Sequence, residues 1–292
     1  MMTDQKRTEH LSFGPVELEI TDADRSVAFW RDVIGMRVRS SAESIALGTE
    51  TETLVILHPV ATSPAVKGHA GLYHLAIHVP DEGEFARILA RFNEKRHYAS
   101  AIDHIMSKAL YLSDPDGLGI EITLEMPERV REFRTYRGGV ELIDAEGRTR
   151  QFSETLDVGA VLAALPDDDI SRPLASGTRI GHVHMHVGNL EAASAYYAKI
   201  GFIPHLSLPS FGFADLGAGG DYPHRIGLNI WQGLYVEPAP AGTARMRRFE
   251  IRFSEPNGMA KSLEKTSAYA IEGMENARQD PFGNQMVLTA TG

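Results

Sequence analysis

An internal repeat limits the folds open to this 292-residue chain more than any other feature. The segment VELEITDADRSVAFWRDVIGM, from Val16 to Met36, recurs as VHMHVGNLEAASAYYAKIGF, from Val183 to Phe202. Both copies are typical of a strand, a polar turn, an amphipathic helix with two adjacent aromatic residues, and a glycine that ends the helix. A second pair of segments, DPDGLGIEIT and DPFGNQMVLT, lies at nearly the same offset along the chain. Two landmarks at one offset indicate a duplication, so the fold is built from repeated units.

Each half of the repeat divides again. After the first strand and helix, the alternating patterns predict strands at 43–48 and 53–58, and YHLAIHV then opens a second strand–helix unit. The predicted fold class is therefore α+β, with four βαβββ modules. The predicted boundaries are an N-terminal half at 10–128 with modules at 10–62 and 70–128, a polar linker at 129–177 with a short helix, and a C-terminal half at 178–292 with modules at 178–236 and 243–292.

Composition excludes several classes of function. The chain has no cysteine, which rules out disulfides, thiolate catalysis and iron–sulfur clusters. A formal net charge of −10 argues against a nucleic-acid partner, because phosphate binding needs a basic face. No apolar run reaches the roughly 20 residues that span a bilayer, and MMTDQKRTEH lacks the apolar core of a signal peptide. We therefore expect a cytoplasmic protein without membrane contact, whose 12 histidines are its main chemical resource.

Four motifs, GLYH, ALYLSDPDGLGIE, IGHVHMHV and RIGLNIW, occur in order at matching places in the modules. With them the chain resembles the vicinal oxygen chelate superfamily of glyoxalase, bleomycin resistance and extradiol dioxygenase proteins, and in particular its four-module catechol 2,3-dioxygenase-like branch. The resemblance covers nearly the whole chain except the linker. It implies modules paired into two half-barrel domains around a metal, with ligands from the first strand of each module and the last strand of one or both.

The resemblance assigns ligand positions that the sequence can test. The first-strand position falls, module by module, on Pro15, His74, His182 and Arg248, and the last-strand position on Glu121 in module two and Val287 in module four. Only His74, Glu121 and His182 can donate to a metal in the usual way. A lone histidine on a strand is more often a packed polar residue, but three donors at three family positions favour ligands. Two histidines and one carboxylate are typical of non-haem Fe(II) oxygenases, so Fe(II) is the expected cofactor, with Mn(II) as the alternative.

The same resemblance suggests three further residues around the metal. Tyr111 lies ten residues before Glu121, the spacing of a substrate-contacting tyrosine in the family, although a packed core aromatic would fit equally. His104 matches a pocket histidine, and His224 stands where the family has an acid–base histidine. There the chain departs from the family, because GGDYPHR has one histidine and Arg225 replaces its neighbour. We expect this departure to affect substrate preference more than the reaction. His78, His184 and His186 are expected to pack beside the ligands.

Together these features predict an extradiol ring-cleaving dioxygenase that acts on a small aromatic diol with O₂, in aromatic hydrocarbon catabolism. One alternative is a glyoxalase-type isomerase or lyase, which usually has four ligands. The nearest candidates for a fourth ligand, Asn229 and Gln232, are neutral. The other alternative is a non-enzymatic binding protein of the bleomycin-resistance type, which would not need the three donors. The outer sheet faces would suit a homodimer.

Overall fold

In the computed structural model, which describes residues 7–136 and 139–291, the chain folds into four βαβββ modules of the predicted α+β class. The first two modules consist of β1 (Leu11–Glu19), α1 (Ala23–Ala28) continued by a π-helical segment (Phe29–Ile34), β2 (Arg37–Ser41), β3 (Ile45–Gly48), β4 (Thr53–His58), β5 (Gly71–His78), α2 (Glu82–Glu94), β6 (Ser100–Asp103), β7 (Ser107–Ser113) and β8 (Gly119–Glu125). The linker contains a 3₁₀ turn (Pro127–Arg129), β9 (Val130–Tyr136), β10 (Gly139–Asp144), β11 (Thr149–Arg150), β12 (Glu154–Thr155) and α3 (Val158–Ala163). The last two modules consist of β13 (Arg179–His186), α4 (Leu190–Ile200), β14 (Ile203–Leu208), a 3₁₀ turn (Pro209–Phe211), β15 (Phe213–Gly217), β16 (Ile226–Asn229), β17 (Arg245–Phe253), α5 (Pro256–Lys265), a 3₁₀ turn (Ser267–Tyr269), β18 (Ala270–Ile271), β19 (Met274–Gln279) and β20 (Gln285–Ala290).

The module helices begin where the sequence supplies a cap. Asp22, Asp81 and Asn189 each precede a helix, and each side chain accepts the backbone N–H three residues later. In module four Pro256 starts the helix instead, at a position where a missing N–H costs nothing. The longest of these helices, α2, has 13 residues. Within the described residues no helix is long and apolar enough to cross a bilayer.

The two Asp-Pro-x-Gly segments form the same turn in both halves. Asp114 and Asp280 each accept the N–H groups of the residues two and four positions later, with distances of 2.8–2.9 Å. Gly117 and Gly283 adopt φ values of +87° and +89° in these turns, a region that favours glycine. Each turn therefore delivers the chain into the last strand of its module, β8 or β20, in the same way.

Within the described residues the module strands form two large mixed sheets. The inner sheet has nine strands in the order β12-β6-β7-β8-β5-β13-β16-β15-β14, and the outer sheet has eight in the order β18-β19-β20-β17-β1-β4-β3-β2. Modules two and three thus share the inner sheet, and modules one and four share the outer sheet. In each sheet the first strands of the two modules pair antiparallel at the centre, as β5 with β13 and β1 with β17. The sheets therefore join modules across the two halves of the repeat, while the boundaries between the halves stay a prediction.

The linker has more structure than its polar sequence predicts. Its helix α3 lies within the predicted segment, but β9, β10 and β11 form a separate antiparallel sheet and β12 extends the inner sheet beside β6. Two buried arginines of α2 bind the part of the linker that follows α3. Arg87 pairs with Asp167 at 2.7 Å, and Arg91 donates to the carbonyls of Ile170 and Arg172 at 2.8 and 2.6 Å. In β9 the apolar residues recur every third position, and in β10 Leu142 and Ile143 are adjacent, so the apolar alternation that identifies a half-buried strand is absent in both.

A buried ion-pair cluster ties the N-terminal segment to the inner sheet. Arg225 is 2% exposed and donates to both carboxylate oxygens of Glu125, to Glu9 at 2.7 Å and to the carbonyl of Gly181 at 3.0 Å. Burial alone would raise the pKa of Glu125, but the charge of Arg225 and its hydrogen bonds lower that pKa to about 2. The cluster is thus a fixed charge pair that depends on both partners.

We expect Arg225→Met to lower the free energy of unfolding by about 3–5 kcal/mol, because it leaves Glu125 buried without a counter-charge. Since the folded pKa of Glu125 is depressed to about 2, its stabilising contribution in the natural protein is full above its ordinary pKa and is lost as pH falls toward 2. The difference in the free energy of unfolding between the natural protein and Arg225→Met should therefore narrow below about pH 4.5. Urea unfolding of both proteins at several pH values measures this difference. Arg7→Met, which removes an exposed pair with Asp221, is the control and should change stability by less than about 1 kcal/mol; equal losses from both variants would contradict the prediction.

Candidate metal centre

Three neighbouring strands of the inner sheet bring His74, Glu121 and His182 together. His74 lies on β5, Glu121 on the parallel strand β8, and His182 on the antiparallel strand β13. All three side chains are buried, and one donor atom from each converges on one point. Nε2 of His74 lies 3.1 Å from Nε2 of His182 and 3.1 Å from a Glu121 oxygen, and His182 Nε2 lies 2.9 Å from the same oxygen.

The spacing of these three atoms fits one divalent ion. Ligand atoms at about 2.1 Å from a metal are about 3.0 Å apart when their bonds are perpendicular and about 3.4 Å apart in a tetrahedron. The observed separations of 2.9–3.1 Å match three ligands on one face of an octahedron. Such an arrangement leaves the opposite face for other ligands, which is the geometry of the two-histidine, one-carboxylate sites.

The protonation states also suit a cation. Burial lowers the pKa of His182 to about 3, so this imidazole is neutral and keeps a lone pair for a ligand bond. Burial by itself would raise the pKa of Glu121, but the adjacent His182 and His74 hold that pKa well below its usual range. The centre therefore carries one negative charge in a buried position, which a divalent ion compensates.

The structure also shows why a fourth protein ligand is missing. In module two Glu121 lies opposite Ala76, which is two positions after His74. In module three the residue two positions after His182 is His184, and its partner on β16 is Gly227. A Cβ placed on Gly227 would lie 2.6 Å from the His184 ring, so no side chain fits there. His184 itself is engaged elsewhere, because the Asn229 amide donates to its Nε2 at 3.0 Å.

The corresponding positions of the outer sheet hold no donor set. Pro15 and Val287 offer no ligand atom, and Arg248 donates to Glu17 at 2.6 Å. The other oxygen of Glu17 lies 2.8 Å from Nε2 of His58. Ion pairs therefore fill the place that the metal ligands take in the inner sheet, in keeping with a scaffold role for modules one and four.

A cavity of about 590 Å³ adjoins the three donors. Its lining residues come from strands near both ends of the inner sheet, from β6 to β15, so this sheet curves around it. The linker closes one side with Val140, Phe152 and Ser153, while the end of β14 contributes Leu208 and the 3₁₀ turn after it Phe211. The sequence alone could not show which linker residues face the site, since nothing in a polar segment shows which surface it covers.

Two of the predicted pocket residues are hydrogen-bonded to each other in this cavity. Tyr111 lies directly opposite Glu121 on the neighbouring strand, and its hydroxyl is 2.9 Å from Nε2 of His104. Nδ1 of His104 lies 3.0 Å from the carbonyl of Phe152, which only accepts, so Nδ1 carries the proton and Nε2 accepts from Tyr111. Burial raises the pKa of Tyr111 well above its usual value, which keeps the phenol protonated.

The third predicted pocket residue, His224, lies on the other side of the donors. Its ring centroid is 4.5 Å from that of His182, and its Nδ1 donates to Asp215 at 3.0 Å. A carboxylate only accepts, so Nδ1 carries the proton of the neutral ring, and Nε2 of that ring is then free to accept one. Sequence analysis missed Asp215, whose second oxygen accepts from His205 at 3.1 Å. The sequence does contain one indication of its role, because Asp215 is the only carboxylate in the otherwise apolar strand FADLG.

Of the histidines expected to pack beside the ligands, His184 is buried and His78 and His186 are partly buried, and Arg225 does not line the cavity. Tyr73 contacts the rings of His184 and His186 with centroid separations of 4.9 and 5.0 Å. His78 lies four residues after His74 on β5, near Glu125, and burial lowers its pKa to about 4. Arg225 follows His224 directly, but it belongs to the ion-pair cluster with Glu125 and Glu9, and its guanidinium lies 4.8 Å from the ring centroid of the lining residue Tyr222. The residue that departs from the family pattern therefore borders the cavity through Tyr222 without lining it, and its expected influence on substrate preference stays a prediction.

Comparison with known proteins agrees with this architecture. The sequence model of the glyoxalase/bleomycin resistance protein/dioxygenase superfamily matches residues 12–122. The catechol-2,3-dioxygenase of Bacillus subtilis (strain 168) is 32% identical over 276 residues, which cover 92% of this chain and 93% of that protein.

Solved structures share the fold. A Bacillus subtilis structure described as a dioxygenase covers 99% of this chain and 86% of its own, with a TM-score of 0.59 at 11% identity. Glyoxalase I from Zea mays covers 96% of this chain and 92% of its own, with a TM-score of 0.52 at 16% identity. At these identities the two structures support the arrangement of modules and nothing about the reaction.

Proposed function

Because the chain belongs to the glyoxalase/bleomycin resistance protein/dioxygenase superfamily, we propose that it is an Fe(II)-dependent extradiol dioxygenase that opens the ring of a catechol beside the diol. The observation that carries this proposal is the buried facial arrangement of His74, Glu121 and His182 next to a cavity of about 590 Å³. The name of the Bacillus subtilis relative supports the same reaction.

Fe(II) bound by these three residues would supply coordination for both diol oxygens and for O₂ on its open face, and would lower the pKa of the diol. The other groups that act on the substrate are side chains of the protein. Aromatic side chains of the cavity, among them Phe213 and Trp231, would shield the parts of the reacting ring that they contact from water. Partial exclusion of water strengthens electrostatic interactions between the substrate and the polar groups around it.

The polar residues divide into two groups on either side of the donors. Tyr111 donates its proton to His104, so its oxygen lone pairs are available to accept a hydrogen bond from a diol hydroxyl. The neutral ring of His224 presents an Nε2 that can accept a proton, which suits it to take a proton from the diol and later return it. Asp215 acts as a positioning residue, because its bond to Nδ1 fixes the tautomer of His224.

A glyoxalase-type isomerase is the competing function. Such sites usually have a fourth protein ligand that can serve as the base, and the register of β13 with β16 puts Gly227 at that position. The packing of His184 against Gly227 leaves no room for a carboxylate. This observation favours oxygen chemistry over proton transfer at an isomerase centre.

The test is anaerobic reconstitution with Fe(II), followed by air and a panel of catechols. We expect about one bound iron per chain and consumption of one O₂ per catechol, with a coloured ring-opened product. Mn(II) loaded in parallel distinguishes the two candidate metals by the rate that each supports. If iron is bound and no catechol consumes O₂, while the hemithioacetal of glutathione and methylglyoxal is isomerised, the dioxygenase proposal is wrong.

A further inference from the structure

We propose that the cavity selects uncharged catechols with a bulky apolar substituent and discriminates against catechols that carry a carboxylate. This inference rests on the proposed function and specifies its substrate class. It depends on the wall of the cavity beyond the metal donors.

The wall beyond the donors is mostly apolar, with the hydroxyls of Ser100, Ser107 and Ser153 among its polar groups. Ile102 and Met106 come from the β6–β7 hairpin, Val140 and Phe152 from the linker, and Leu208 and Phe213 from module three. A ligand group that contacts these apolar side chains gains free energy by leaving water.

The size of the cavity indicates a substituted ring. Cavities of about 300–1,000 Å³ accommodate drug-sized ligands, and this one has a volume of about 590 Å³. A single ring with two hydroxyls leaves much of that space to water, whose share of liquid volume is about 30 Å³ per molecule. An apolar substituent on the ring would displace that water and contact the wall.

The charges around the cavity disfavour an anionic substituent. No lysine or arginine is among the described residues that line it, whereas the carboxylates of Glu121 and Asp215 are. Arg225, which packs on the lining residue Tyr222, is already bound to Glu125 and Glu9. A carboxylate in this space would lose its hydration without gaining a cation, which is strongly unfavourable.

The test compares a matched pair of ligands, 3-(2,3-dihydroxyphenyl)propanoate and its methyl ester, which differ in the charge and little in shape. Anaerobic calorimetric titration of iron-loaded protein gives a dissociation constant for each, and O₂ uptake gives kcat/KM. We expect the ester to bind at least about tenfold more tightly than the acid and to exceed it in kcat/KM by a similar factor. An acid that binds as well as the ester, or better, overturns the inference. The proposed function fails separately, if no catechol of the panel consumes O₂ while the iron is bound.

A positive charge introduced into the cavity wall tests whether the lack of a cation there causes the discrimination against the acid. Val140→Arg should improve binding of the acid by about tenfold or more and weaken binding of the ester, while Val140→Met should leave the ratio within about threefold of the natural protein. Arg137 lies outside the described residues, between the lining residues Tyr136 and Gly139. The acid and its methyl ester are therefore also titrated into Arg137→Ala, for which we expect the same ratio of dissociation constants as for the natural protein. A further fall in acid binding with this variant would show that a cation does reach the substituent, and would overturn the inference.

Discussion

Glu121→Ala and His182→Ala are each expected to abolish metal retention. Each variant removes one of three donors whose atoms are 2.9–3.1 Å apart. Loss of a partner outside the ligand shell typically costs about 10–100-fold in metal affinity, and loss of a ligand should cost more. Iron measured per chain after desalting should fall from about one to a trace, and ring cleavage should fall with it.

The control for these variants is Arg248→Ala. Arg248 occupies the corresponding first-strand position in the outer sheet, where it donates to Glu17 and is partly exposed. Its replacement should leave the iron content and kcat nearly unchanged. Equal iron loss from Arg248→Ala and His182→Ala would mean that the metal lies between modules one and four.

His224→Asn is expected to lower kcat by about 10²–10⁴, the usual contribution of a positioned general acid or base. Asparagine keeps a polar group near Asp215 but has no nitrogen that can exchange a proton. Iron content and the anaerobic dissociation constant for catechol should stay within a few fold of the natural values, because His224 is not one of the three donors. Stopped-flow absorbance of the coloured product measures the loss.

His205→Asn is the matched control for that loss. His205 donates to the same carboxylate, that of Asp215, at 3.1 Å, but it does not line the cavity. We expect its kcat to remain within a few fold of the natural value. A comparable loss from both histidine variants would show that the bonds to Asp215 support local structure and that His224 has no role in proton transfer.

The module pattern and the three donors were accessible from the sequence for one physical reason. A repeat places equivalent residues at equivalent points of equivalent strands, so His74 and His182 could be matched to one position although 108 residues separate them. Glu121 followed from its place after the Asp-Pro-x-Gly turn, which the structure shows in both halves. Alternation along β13 likewise separates His182 and His184 from Val183.

The partnership between modules was not accessible in the same way. Pairing of β5 with β13 and of β1 with β17 depends on contacts between distant segments, and each first strand carries a similar apolar pattern. The survival of donors only in modules two and three was the one indirect indication that these modules share a site. The wall of the cavity escaped prediction because Val140 and Phe152 belong to a linker with no periodic pattern.

Asp215 shows a different limit. Sequence analysis recognised His224 from its motif, but it assigned no role to His205 or Asp215. The carboxylate lies nine residues before His224, and the hairpin of β15 and β16 with its connecting loop brings the two within 3.0 Å. A buried carboxylate in an apolar strand requires a partner, so asking which group pairs with Asp215 would have led to both histidines.

The measurement that tests the central claim most directly is the fate of ¹⁸O₂ in a single turnover with catechol. Iron-loaded protein is mixed anaerobically with catechol and exposed to ¹⁸O₂, and the product is trapped with borohydride before mass spectrometry. If His74, Glu121 and His182 hold the iron of an extradiol dioxygenase, the product is a ring opened beside the diol, with one label in the new carboxylate and one at the former aldehyde carbon. A muconate opened between the two hydroxylated carbons, or a ring-opened product without label, would contradict the account.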